Sequence, residues 1–168
     1  MKEIISNHHI QQKGGVLENS FDSDKIKYLA DKIDRIVSRR GDHYIAFLSG
    51  LLRFETISGA KTIAGQDKFE KSIHRCLEYL HVQSERLGMI FRKYDNLTAA
   101  AELDAGDKSQ GCIGVAAHID VVPVGKGWKH PPFGGTVTDG WIWGRGAQDD
   151  KGPVGSIFSA LDVLASLN

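Results

Sequence analysis

Cys112-Ile113-Gly114-Val115-Ala116-Ala117-His118-Ile119-Asp120 is the stretch on which the fold reading turns. Its first six residues are small or apolar at every position, without the alternation of a strand that faces water on one side. Such a run reads as a buried strand of a sheet covered by helices on both faces. Polar chemistry begins at its end, with His118 and Asp120. In α/β sheets ligands collect at the carboxyl ends of strands, and residues two apart on a strand point the same way. His118 and Asp120 are therefore expected to face one pocket.

Upstream, the pattern is helical. Asp22 or Ser23 is placed to cap a helix. Ile26, Leu29, Ile33, Ile36 and Val37 then recur at steps of three and four, and Gly41 ends that helix. A second helix is expected from about Tyr44 to Glu55, followed by a loop from Thr56 to Gly65. A third carries Phe69, Ile73, Cys76, Leu77, Leu80 and Leu87 on one side, with Gly88 as its stop. Met89 to Tyr94 and Thr98 to Leu103 read as strands, and Asp104 to Gln110 as a turn-rich loop. Downstream, Thr136-Val137 and Trp141-Ile142-Trp143 flank Asp139-Gly140, a hairpin signal. A last helix starts near Gly152-Pro153. Helices alternating with strands predict an α/β fold in which helices pack on a mixed β-sheet.

Composition narrows the function classes. Of 168 residues, 41% are hydrophobic and 25% charged, the balance of a globular chain. Twenty-one basic and 21 acidic residues cancel. With zero net charge and no basic stripe, neither nucleic acid nor an anionic membrane is an expected partner, Arg-Gly segments such as Gly144-Arg145-Gly146 notwithstanding. No apolar run approaches the length of a membrane span. Residues 1–20 read as a loose polar leader without the apolar core of an export signal, so a cytoplasmic location with Cys76 and Cys112 reduced is expected.

The second chemical cluster is Gly144-Arg145-Gly146-Ala147-Gln148-Asp149-Asp150-Lys151-Gly152. Two adjacent carboxylates in a glycine-rich loop repel each other unless a cation or a proton separates them. A His beside a carboxylate suits zinc. Each pattern also has a plain structural reading. His118 and Asp120 can be a hydrogen-bonded pair. Asp149-Asp150 can be a solvated turn capping a helix, with Arg145 and Lys151 as surface charges beside it.

The order of these segments resembles one family. Ala117-His118-Ile119-Asp120-Val121-Val122-Pro123, then Gly127-Trp128, Pro132-Phe133, Asp139-Gly140 and Gly144 through Pro153, is similar to the signature of the zinc dipeptidases and deacylases. These include carnosinase, peptidase V, acetylornithine deacetylase and succinyl-diaminopimelate desuccinylase. The Asp-Asp-Lys-Gly-Pro form resembles the dipeptidase branch. The likeness is dense over residues 110–165 and implies hydrolysis of an amide bond in a small peptide substrate. It implies that His118 ligates one zinc, and that Asp149 bridges two zinc ions and is followed by a cis peptide bond. It further implies that Asp120 serves catalysis by orienting His118, and that Lys151 and Gly152 shape the turn into the last helix. Cobalt or manganese can occupy such sites in place of zinc.

The resemblance also implies what has to come from elsewhere. The family uses a Glu-Glu pair, one as general base, another carboxylate ligand, a distant His, and an inserted second domain that often forms the dimer interface. No Glu follows Glu102 here. Residues 21–168 are thus expected to be the N-terminal portion of a catalytic domain, incomplete for catalysis alone. The alternative is a non-enzymatic truncated remnant with at most an interaction role. His74, His81 and His130 are possible substitute ligands, but their settings read as partly exposed helix and loop positions. His8, His9 and His43 have no context. Substrate side chains and oligomeric state are not encoded in the motifs.

Overall fold

The first helix, α1, begins where the sequence places a cap. The Asp22 carboxylate accepts the backbone N–H groups of Asp24 and Lys25 at 3.0 and 3.3 Å, which satisfies two of the donors a helix start leaves unpaired. The computed structural model describes residues 22–60, 68–104, 106 and 111–167. The expected leader over residues 1–20, and much of the loops around 65 and 107, lie outside the described residues.

Helix α1 spans Ser23–Leu51 without a break, which corrects the reading of two helices divided at Gly41. A glycine in a helix interior costs about 1 kcal/mol relative to alanine, and interactions on both sides of Gly41 offset it. Arg40 and Tyr44 both bond the Asp162 carboxylate of the last helix. Further on, Phe47 and Leu51 are buried, and Phe47 stacks on Tyr79 and Phe158 with ring centroids 5.7 and 5.1 Å apart.

Helix α2, Lys68–Arg86, buries the predicted face through Ile73, Cys76, Leu77 and Leu80. It stops at Gly88 as expected. Gly88 has φ 70°, its N–H donates to the Glu85 carbonyl, and the Met89 N–H donates to the Ser84 carbonyl. This pair of bonds closes the helix end through a left-handed residue. Strands β1 (Ile90–Lys93) and β2 (Ala99–Glu102) form an antiparallel hairpin, Ile90 opposite Glu102. Strands β3 (Thr136–Thr138) and β4 (Trp141–Trp143) form another around Asp139-Gly140, both at positive φ, the tight turn that the sequence predicts. Helix α3, Lys151–Leu167, packs Val154 and Phe158 against the end of α1 and against α2, where the core lies.

The run that decides the α/β reading is not a buried strand. Cys112 through Ala117 belong to no strand and all six are exposed, Ile113 at 95% and Val115 at 67%. A groove of about 560 Å³ has Val115 and Ala117 among its lining residues, together with Phe91, Ala99 and Ala101 of the first hairpin. Among the described residues no backbone hydrogen bond joins the run to a neighbouring strand, and an extended segment has no internal hydrogen bonds to fall back on. Pairing starts a few residues later, at a parallel bridge between Val121 and Ile57. The architecture is α/β, with helices on small sheets that are antiparallel in the hairpins and parallel at this bridge.

Candidate functional site

Five residues shortly after α1, Phe54 to Ser58, hold both chemical motifs. The first is joined by backbone and side chain. Val121 N–H donates to the Thr56 carbonyl at 2.8 Å, and Ser58 N–H to the Val121 carbonyl at 3.0 Å. Buried Thr56 donates its Oγ1 to the Ile119 carbonyl at 2.5 Å, and Ser58 Oγ donates to Asp120 Oδ2. The second motif is joined through Lys151, whose Nζ donates to the Phe54 carbonyl at 2.6 Å.

His118, Asp120, Asp149 and Asp150 meet at this place. His118 Nδ1 lies 3.1 Å from both the backbone carbonyl and Oδ1 of Asp120. On the other side of the ring, Nε2 lies 3.0 Å from Asp149 Oδ1. The His118 backbone N–H donates to Asp150 Oδ2 at 3.1 Å and so ties the two motifs together directly. The Asp149–Asp150 peptide is cis.

The loop that carries Asp149 is fixed by hydrogen bonds to backbone carbonyls. Arg145 N–H donates to the Pro132 carbonyl at 2.7 Å, and Gly152 N–H to the Gly146 carbonyl at 3.2 Å. A Cβ on Gly152 would stand 2.0 Å from the Ala147 carbonyl oxygen, so a side chain has no room there. The Arg145 guanidinium donates to the Pro123 and Val124 carbonyls and lies 5.2 Å from the centre of the Trp128 ring. An open cleft of about 800 Å³ runs along this surface, lined by His118, Asp120, Asp149, Arg145, Trp128 and Trp141, among others.

Desolvation pulls the His118 imidazole down. The hydrogen bonds to the Asp120 carbonyl and the Asp149 carboxylate, with the negative charges of Asp120 and Asp150, outweigh it, and the net direction is up. Both ring nitrogens face acceptors, and a neutral imidazole carries one proton. A second proton or a cation is therefore called for between Nε2 and Asp149. Two donors of a tetrahedral zinc stand about 3.3 Å apart, given its bond lengths, so this pair fits the ion as two of its ligands. Among the described residues, no group of three or more His, Cys, Asp and Glu converges to hold a metal ion.

Lys151 is not a surface charge. It is fully buried, and burial pushes its ammonium down to about 8. Thr56 and Ser58 are the residues the motif reading missed. They fall in the segment read as a loop, and the signal available was weak, two hydroxyls spaced as on one strand face. His74 and His81 pair with Glu78 and Glu85 along the surface of α2. His130 packs its ring 5.0 Å from that of Trp143. None of the three reaches the His118 cluster among the contacts described.

Comparison with known proteins follows the same residues. The family description "Peptidase family M20/M25/M40" matches residues 114–168. Two bacterial relatives bear the name "Putative dipeptidase". One, from Staphylococcus saprophyticus, is 32% identical over 127 residues, or 76% of this chain and 26% of its own length. The other, YtjP of Bacillus subtilis, is 32% identical over 132 residues, 79% of this chain and 28% of its own. The crystal structure of human carnosine dipeptidase 1 superposes with a TM-score of 0.69 and 25% identity, over 83% of this chain and 31% of that one.

The chain belongs to the M20 peptidase family, in its dipeptidase branch. Its ancestry is that of a hydrolase. This M20 chain spans about a quarter of the length of the curated relatives it matches. Among the described residues, no helix is long and apolar enough to cross a membrane.

Proposed function

We propose that the protein hydrolyses the amide bond of a dipeptide or similar small peptide, and that this stretch supplies one wall of a two-zinc site. Residues 21–168 are read as the N-terminal portion of the catalytic domain. The observation that carries the reading is the 3.0 Å approach of His118 Nε2 to Asp149 Oδ1, with Asp120 occupying the opposite ring nitrogen. His118 and Asp149 would hold the zinc at this wall. When bound, the ions supply Lewis acidity toward the scissile carbonyl and a nucleophilic water at neutral pH.

The chain's own residues do the rest of the work on this wall. Asp120 holds the Nδ1 proton, which leaves Nε2 to face Asp149 through a second proton in the metal-free protein or through the ion when one is bound. Ser58 in turn holds the second oxygen of Asp120. Asp150 grips the His118 backbone and fixes the distance between the motifs. A catalytic zinc takes three protein ligands. The remaining ligands and the general base are assigned to residues outside those described here, and the chain by itself is expected to be inactive.

The test is zinc content and dipeptide hydrolysis by the whole protein. Asp149→Ala is expected to lose both. Asp120→Ala is expected to keep its zinc at lower affinity and to lose about 10- to 100-fold in turnover. Full activity in the Asp149 variant would overturn the assignment. Hydrolysis by the 168-residue chain alone would overturn the division of the site.

A further inference from the structure

We propose that Lys151 is a positioning residue, whose buried ammonium on the Phe54 carbonyl fixes where Asp149 stands against His118. Lys151 is the largest fully buried side chain among the described residues. A charge-bearing group in that position is costly unless it is paired, and an apolar side chain of similar volume would avoid the cost. Its place in the chain makes the choice stranger. Lys151 is the first residue of α3, where the positive end of the helix dipole disfavours a cation.

The partner accounts for it. Phe54 lies three residues beyond the carboxyl end of α1, on the side where the helix dipole favours positive charge, and its carbonyl also accepts the Thr56 N–H at 3.0 Å. The last turn of α1 carries no basic residue of its own. Lys151 reaches that end from another element, with Nζ 2.6 Å from the Phe54 oxygen. On the way its stem runs under Gly146, where a Cβ would come within 3.2 Å of the lysine Cδ and 3.0 Å of Val121. The stem is thus held by the Asp149 loop along its length and by the segment that follows α1 at its tip.

The geometry that follows links both halves of the site to one reference. His118 is placed through Ile119, Asp120 and Val121 on Thr56 and Ser58. Asp149, two residues before Lys151, is placed through the lysine on Phe54. Five consecutive residues thus set both sides of the His118–Asp149 approach. The proposal rests on the zinc reading only for its effect on metal affinity, because the positioning itself can be read without metal.

The experiment compares the whole protein with its Lys151→Met and Lys151→Gln variants. In the metal-free protein, the imidazole ¹H–¹⁵N spectrum reports the two ring nitrogens of His118 separately. The Nε2 signal is expected to lose its hydrogen-bonded shift in both variants, while the Nδ1 signal facing Asp120 stays. Zinc affinity, measured by competition with a chromophoric chelator, is expected to fall at least tenfold. A folded Lys151→Met variant with an unchanged Nε2 signal and zinc affinity within twofold of the parent would overturn the proposal. If Lys151→Met fails to fold, Lys151→Gln decides by the same two readings, since its shorter stem reaches Phe54 only by dragging the loop. A parent chain that binds no zinc overturns the metal reading alone, and the Nε2 signal still decides the role of Lys151.

Discussion

Helix α2 and the run Cys112–Ala117 both read as apolar elements made to be covered, and they end in opposite states. Four apolar residues of α2 are nearly inaccessible, packed on Phe47, Val154 and Phe158. The run before His118 is exposed throughout. The difference lies in where each finds its hydrogen bonds. A helix closes its backbone bonds within itself and needs a neighbour only for its apolar stripe. An extended segment needs a second backbone at strand spacing along its whole length. The chain offers that at Val121 through Thr56 and Ser58, and offers residues 112–117 an open groove. One consequence is that the site is anchored on its carboxyl side, at Asp120 and Lys151, and not through the run that precedes it.

The sharpest way to break this contrast is to damage the helical side. Phe47→Ala removes a ring stacked between Tyr79 and Phe158 and is expected to cost about 3–5 kcal/mol in urea unfolding. A cost below about 1 kcal/mol would mean that the helical core is as loosely held as the run.

The two cysteines sharpen it further, because one lies in each region. Cys112 is exposed and Cys76 is buried, with desolvation pushing the Cys76 thiol up to about 12 despite the opposing charge of Lys151. An aromatic disulfide reagent is expected to label Cys112 at once and Cys76 only after unfolding. The sign of the pH effect follows from the direction of the shift. The folded value lies above the ordinary 9.0, so the contribution of the protonated thiol is complete below 9.0 and is lost as pH rises toward 12. The urea midpoint should fall over that window, and the part due to this thiol should be missing in Cys76→Ala. Equal labelling rates for the two thiols would erase the contrast.

The smallest effect is expected at the exposed run. Ile113→Ser should change stability by no more than about 0.5 kcal/mol, since the side chain is 95% exposed. A loss of 2 kcal/mol or more in the same urea measurement would show that the run is covered in solution.

Much of this was legible from residues alone. The face and the stop of α2, the Asp22 cap, the Asp139-Gly140 hairpin and the start of α3 follow from local rules, because cap, turn and helix bonds join residues close in the chain. The order of the His118 and Asp149 motifs likewise announced the M20 family. What only the tertiary structure decided were the contacts between distant residues. Gly41 failed to end α1 because Arg40 and Tyr44 found Asp162, some 120 positions away by the separations of 122 and 118 residues. Thr56 and Ser58 entered the site because a parallel bridge laid them beside Val121. Lys151 became a buried anchor because α1 ended within its reach. No window of sequence holds both members of such a pair, and the balance between burying a group and leaving it in water is struck only when they meet.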